Sequence, residues 1–209
     1  MSEHIVCTII TKSYIPYART LASTLGEHNP NSKLFVLLAD RVDGYFEPSG
    51  EPFHLIHLEY LPEQQVVEKM CFYYTPFELC CALRGMLHEY MFEQTSAQSW
   101  LFLDSDIMVF NSLDSVFEQL EQTSILLNPH CTTPVNRKYV EPHERDLLRS
   151  GLYNAGFLGL RRTNEARAFI SWFKERLASY CFHDYDHYNG GIAGRGFFVD
   201  QLWLNLVPL

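Results

Sequence analysis

Apolar residues fall into two patterns along this chain, short unbroken runs and longer stretches at helical spacing, and the switches between them mark the elements. Ile5 to Thr11 (IVCTIIT) is a β-branched run that predicts a buried first strand. A helix is predicted from Ile15 to His28, with Pro16 in its first turn and Asn29-Pro30 as its stop. Leu34 to Ala39 (LFVLLA) is a second unbroken run, closed by Asp40. Strand, helix and strand in that order make a βαβ unit. Runs with no polar alternation imply a mostly parallel sheet covered by helices on both faces, an α/β fold of the Rossmann-like kind.

Phe53 to Leu58 reads as a third strand and Pro62 to Met70 as a short helix. Thr75-Pro76-Phe77-Glu78 is a helix start, with a Thr cap, Pro at the first position and Glu at the third. One helix is expected from there to Glu93, with Leu79, Ala82, Leu83, Met86, Leu87 and Tyr90 facing a core. A strand follows, then a short strand over Ile125 to Leu127 and a polar segment from Asn128 to Arg149 read as a loop with at most a helical turn. Gly151 to Leu160 is strand-like, Asn164 to Ala178 an amphipathic helix, and Val199 to Leu206 a short helix. Between the last two, Ser179 to Gly196 is rich in Gly, Tyr and His, an irregular segment of the kind that carries function.

The run Trp100-Leu101-Phe102-Leu103 ends in Asp104-Ser105-Asp106, and a second apolar run, Ile107 to Phe110, follows as an expected strand. Burying two neighbouring carboxylates without a partner costs several kcal/mol. Positions i and i+2 of an extended segment project to the same side, ~6.5 Å apart, so a turn at Ser105 brings both to one cation. Oxygen ligands of this kind favour Mg2+ or Mn2+, which commonly share their shell with phosphate. The bland alternative is a solvated turn, or a carboxylate capping the next helix.

Composition narrows the partners. The 209 residues suffice for one domain, spanning 1–209, with a substantial core; 47% are hydrophobic and 20% charged. A net charge of -9 argues against nucleic acid, so an anionic ligand must be held by a metal, backbone amides or a few placed cations. The six cysteines contain no CxxC pair and read as reduced thiols. The first residues lack a basic region followed by an apolar one, and no run approaches the ~20 residues that cross a bilayer. A cytoplasmic protein, or one peripheral to a membrane, is expected.

Four features in order carry a family resemblance: Arg84 on the helix before the acidic strand, Asp104-Ser105-Asp106 itself, Tyr153-Asn154-Ala155-Gly156-Phe157, and Val199-Asp200-Gln201-Leu202-Trp203. With the opening βαβ unit, the chain resembles the nucleotide-sugar glycosyltransferases of the A-type fold. Within these it is most similar to family eight and its relatives, the glycogenins and bacterial galactosyltransferases among them. The resemblance implies transfer of a sugar from a nucleoside-diphosphate sugar, a UDP-sugar above others, to a hydroxyl-bearing acceptor with retention of configuration. It implies that Asp104 and Asp106 hold Mn2+ or Mg2+, that Arg84 faces the nucleotide sugar, and that the Asn-Ala-Gly and Asp-Gln segments lie beside the transferred sugar. It also implies a third metal ligand, a histidine, well downstream of Asp200-Gln201. The sequence stops at Leu209, so the expectation is a C-terminally short chain, a shell completed by His130 or His187, or weak metal binding.

Residue chemistry agrees with that assignment. A metal and Arg84 stabilise a departing diphosphate. Asn154 and Gln201 bond sugar hydroxyls through both amide ends, or are a turn Asn and a surface Gln. Asp200 orients the sugar, stabilises charge at its anomeric carbon, or caps the last helix. These three are the catalytic candidates. Nucleotide-sugar contacts are assigned to Thr11, Tyr14, Asp40, Arg84, Asp104, Ser105, Ala155 and Gly156. Thr11 and Tyr14 follow the first strand, where a parallel sheet binds nucleotides at its carboxyl edge. Asp40 bonds a ribose or base, or is a turn carboxylate. Gly156 and Gly159 admit a sugar close to the backbone or fit a crowded strand. His183 to His187 reads as exposed polar residues in a lid or acceptor wall, with Tyr185 and Tyr188 as stacking surfaces; Lys69, Arg161 and Arg162 read as solvated charges. Two competing readings remain. One is a non-catalytic nucleotide-sugar-binding domain. The other is a haloacid-dehalogenase-type phosphatase, whose Asp-x-Asp belongs after the first strand.

Overall fold

The computed structural model describes residues 4–133, 144–184 and 196–208. Six strands form one sheet in the order β3-β2-β1-β4-β6-β5: β1 Ile5–Ile10, β2 Lys33–Leu38, β3 His54–His57, β4 Ser99–Leu103, β5 Ile125–Pro129 and β6 Tyr153–Arg161. Strand β1 pairs in parallel with β2 and β4, and β2 with β3; β6 runs antiparallel to both β4 and β5. The sheet is therefore mostly parallel.

Every residue of β1 is buried, as its unbroken apolar run demands. Val6 and Ile10 pack on one face with Ala18, Leu21 and Leu25 of α1 (Ile15–His28) and with Phe117 and Leu120 of α5 (Asp114–Leu120). Ile5, Cys7 and Ile9 face the other layer. That layer contains α2 (Gln64–Tyr73), α3 (Pro76–Ala82), α4 (Arg84–Gln94) and α7 (Asn164–Tyr180). A short helix, α6 (Arg145–Ser150), precedes β6, and a 3-10 turn covers Gln201–Leu206. No helix among the described residues is long and apolar enough to cross a membrane.

Several local expectations change. The helix expected from Thr75 to Glu93 is two helices. Its capping box forms, with Thr75 N–H donating to Glu78 Oε2 at 2.9 Å and Glu78 N–H to Thr75 Oγ1 at 3.4 Å. The helix then turns at Leu83, and α4 starts at Arg84 with its Gly85 against the backbone of Lys174 in α7. Ile107 to Phe110 is not a strand: Ile107 N–H closes a turn onto Asp104 O, and Val109 N–H donates to Thr24 Oγ1 as the chain descends along α1. Asn29, expected only to stop α1, receives that segment, donating to Asn111 O and accepting from Leu113 N–H at 2.7 Å. Helix α5 was not anticipated. Arg162 is no solvated charge either, because it donates to the carbonyls of Met91, Phe92, Thr95 and Ala97 and so caps the end of α4. Arg161 likewise donates to Glu121 O at 2.8 Å.

Candidate functional site

Strand β4 ends at Leu103, and its pairing with β6 persists one step further through Asp104 N–H to Gly156 O at 2.9 Å. The turn that follows leaves Ser105 buried and Asp106 exposed. Asp104 is thereby fixed at the strand end, while Asp106 points outward with no hydrogen bond or ion pair among the described residues.

Arg84, the first residue of α4, joins the separate segments. Its Nη1 donates to Ala155 O and to Asp200 Oδ2, and its Nη2 to Asp104 Oδ1, each at 2.6 Å. The guanidinium lies 4.4 Å from the centre of the Phe102 ring, which closes it from below. Burial works against its charge, but Asp200 and Asp104 outweigh that and raise its pKa. Nε is buried with no partner among the described residues.

Asp200 is 2% exposed. Burial raises its pKa, Arg84 opposes the rise, and the Cys81 thiol adds a hydrogen bond. The residue before it, Val199, has φ 41°, a left-handed conformation that costs a β-branched side chain about 1–3 kcal/mol. Val199 N–H is held on Phe182 O at 2.9 Å, so the strained turn is locked with Asp200 aimed at Arg84. Asp200 is thus closed off from solvent, with Arg84 on its Oδ2.

The neutral amides are also engaged. Asn154 accepts Gly156 N–H on Oδ1 at 2.8 Å, leaving the Nδ2 donor of an exposed residue. Gln201 is a strut, accepting Ala155 N–H at 3.3 Å and donating to Ser150 O at 3.0 Å. A Cβ on Gly156 would sit 2.8 Å from Asp104 Oδ2 and 2.9 Å from Asn154 Oδ1, so this glycine is what lets β6 pass beside the carboxylate. At Gly159 the neighbours are Leu101 and Leu126, and the crowded-strand reading applies.

Two clefts open along this edge. One, ≈ 410 Å³, is bordered by Arg84, Asp104, Ser105 and Asp106 on one side and by Thr11, Ser13 and Tyr14 on another. The second, ≈ 620 Å³, adjoins it through Thr11 and Pro76 and includes Asp40. Asp40 Oδ2 accepts Lys12 N–H at 2.6 Å, which fixes the turn carrying Tyr14. Thus Arg84, Asp104, Asn154, Ala155, Gly156, Asp200 and Gln201 come together, with Thr11, Tyr14, Asp40, Ser105 and Asp106 along the adjoining clefts. His130 is exposed at the end of β5 and lines neither cleft. Tyr185, His187 and Tyr188 lie outside the described residues. Sequence reasoning missed Phe102 and Cys81, since a strand Phe and a helix Cys look like core and both are core.

Asp104 and Asp106 offer two hard oxygen donors on one turn, a set that fits a divalent cation completing its shell with water and ligand phosphate. No group of three His, Cys, Asp or Glu side chains arranged for a metal occurs among the described residues.

No protein-family profile matches the chain. It is 24% identical over 189 residues to YfnD, an uncharacterised protein of Bacillus subtilis (strain 168), over 89% of this chain and 58% of YfnD. Its structure is similar to the galactosyltransferase LgtC solved with donor and acceptor sugar analogues, with a TM-score of 0.53 and 17% identity over 83% of this chain and 63% of LgtC. It is also similar to the glycosyltransferase GlyE of Streptococcus pneumoniae TIGR4, with a TM-score of 0.55 and 17% identity over 99% of this chain and 43% of GlyE. The chain thus has the A-type nucleotide-sugar glycosyltransferase fold and spans less than two thirds of each of these proteins.

Proposed function

We propose that the chain is a glycosyltransferase that moves a sugar from a nucleoside-diphosphate sugar to a hydroxyl-bearing acceptor with the help of a divalent cation. The observation that carries this is the convergence of Asp104, Asp200 and the Ala155 carbonyl on buried Arg84, at the sheet edge where the clefts open. Uridine as the base and retention of configuration follow from the resemblance.

Asp104 and Asp106 would hold the cation, which supplies positive charge to the departing diphosphate. Arg84 contributes a second, permanently charged donor, kept in place by Asp200 and Phe102. Asp200 acts as a positioning residue for Arg84, and Gln201 fixes the backbone of Ala155. Asn154 offers Nδ2–H to a sugar oxygen. Ser105, Ala155 and Gly156 bring backbone close to the donor sugar, while Thr11, Tyr14 and Asp40 receive the nucleoside.

Thermal unfolding with UDP, GDP, CDP and ADP, each with and without Mn2+, tests this. A nucleotide at 100 times its Kd adds about 2.7 kcal/mol, roughly 5–10 °C in Tm for a chain of this size. At least one diphosphate is expected to give such a rise only when Mn2+ is present. No rise with any of them sinks the proposal. Release of free sugar from a bound donor then separates an enzyme from a mere binder.

A further inference from the structure

Asp200 follows a short antiparallel ladder in which His183 is bridged to Phe198. The ladder's hydrogen bonds run from Val199 N–H to Phe182 O at 2.9 Å and from Asp184 N–H to Phe197 O at 3.1 Å. His183 and Phe198 therefore form the kind of pair that exchanges no hydrogen bond, and the N–H of His183 points away from the partner strand. It is donated to Glu78 Oε1 in α3, at 2.8 Å. Two residues earlier, Cys181 N–H points the same way, as the period of an extended segment requires, and meets the Tyr74 hydroxyl at 3.0 Å. The approach to the ladder is thus pinned at alternate residues to α3 and to the chain just before it.

Glu78 is suited to hold such a tie. It is 9% exposed, and its other carboxyl oxygen, Oε2, accepts the N–H and the hydroxyl of Thr75 at 2.9 and 2.8 Å. Burial raises its pKa, but the donors on His183 and Thr75 outweigh burial and lower it, so both oxygens remain acceptors. The capping box of α3 uses only Oε2; Oε1 serves the ladder. Helix α3 leads directly into Arg84, and its Cys81 thiol bonds to Asp200. Glu78 therefore joins the helix that delivers Arg84 to the ladder that delivers Asp200. That ladder has strain to resist, because Val199 is left-handed at φ 41° and stays so only while its surroundings hold it.

We propose that Glu78 is a positioning residue for the Arg84–Asp200 pair, its Oε1 holding the ladder so that Asp200 stays on Arg84 when a diphosphate binds. The inference rests on the glycosyltransferase reading above.

The test is calorimetric binding of the tightest nucleoside diphosphate, with Mn2+, to the natural chain and to two pairs of variants. Thr75→Ala weakens the same helix cap but leaves the tie in place; it is expected to lose roughly 1–8 °C in Tm and no affinity. Glu78→Ala is expected to bind at least about tenfold more weakly, the usual worth of a hydrogen bond to a charged group. His183→Pro and His183→Ala both lose the imidazole, but only Pro loses the donated N–H, at a position outside the ladder's own bonds where proline is tolerated. The Pro variant is expected to bind at least about fivefold more weakly than the Ala variant. In Asp200→Asn, where the pair is already broken, that difference is expected to shrink below about twofold. Glu78→Ala binding as tightly as Thr75→Ala overturns the inference, as does equal affinity of the two His183 variants or a difference undiminished in Asp200→Asn. The His183 pair decides the matter where Glu78→Ala does not fold. Failure of the natural chain to bind any diphosphate is a different result: it removes the glycosyltransferase reading itself.

Discussion

Arg84 is buried with more charge around it than it carries, and its neighbours explain how the arrangement holds. One helical turn on, His88 is fully buried and accepts Trp100 Nε1–H on Nδ1 at 3.1 Å, so the ring proton sits on Nε2. Its ring stands edge-on to Phe102, whose face carries the Arg84 guanidinium. Burial, and after it the charge of Arg84, lower its pKa from 6.5 to about 3. The folded value lies below the unfolded one, so the stability gained by keeping His88 neutral is complete above 6.5 and is lost as pH falls toward 3. In that window His88 adds a slope of up to about 1.4 kcal/mol per pH unit to the unfolding free energy. Urea denaturation from about pH 7 to about pH 4 checks this against His88→Gln, which cannot titrate but keeps an acceptor for Trp100. Parallel losses in the two proteins would show that His88 is not the group responsible.

At the scale of elements, the contact of α4 with α7 sets where Arg84 stands. A Cβ on Gly85 would lie 2.5 Å from Lys174 Cα, backbone that no rotamer change can move. Gly85→Ala is therefore expected to force the helices apart, costing about 1–3 kcal/mol and roughly 2–12 °C in Tm. The Mn2+-dependent nucleotide shift should weaken as Arg84 moves with the helix. Gly26→Ala in α1 is the control: nothing lies within 4 Å of that position, and the change should be neutral or stabilising by up to about 1 kcal/mol. An equal effect at both sites would refute the packing argument. The same contact explains what was legible in the sequence. Strands β1 and β2, helix α1 and the Thr75 capping box rest on local chemistry and were readable from it. The break at Leu83 was not, and the close approach of α4 to α7 at Gly85, just beyond it, is a contact with a segment some 90 residues away. Nor was the fate of Ile107 to Phe110, whose apolar pattern fits a strand and a cover for α1 equally well. In the site, Arg84, Asp104, Asn154, Asp200 and Gln201 could be singled out by residue type and order. Their contacts could not, since the Arg84–Asp200 and Ala155–Gln201 hydrogen bonds join residues 116 and 46 apart in the chain.

For the molecule as a whole, the reversal of β6 decides the site. Strands β1, β2 and β4 run in parallel and deliver Thr11, Asp40 and Asp104 from their carboxyl ends to one edge. Because β6 is antiparallel to β4, its first residues, Asn154 to Gly156, reach that same edge. Wherever a diphosphate binds there, it meets a chain of net charge -9. The charge of Arg84 is offset by Asp104 and Asp200, so beyond its N–H donors further positive charge must arrive with the ligand. Asp106 is the residue whose loss separates binding from folding. It is exposed and makes no hydrogen bond or ion pair among the described residues, so Asp106→Asn should leave unfolding of the unliganded protein within about 0.5 kcal/mol of the original. The Mn2+-dependent part of the nucleotide shift should vanish, while any metal-independent part, carried by Arg84 and the larger cavity, survives. Calorimetric scans of both proteins with the tightest diphosphate, before and after chelation of the metal, distinguish the cases. If Asp106→Asn kept the full Mn2+-dependent rise, the cation would have to be held elsewhere, and the pair of carboxylates on the β4 turn would have only a structural role.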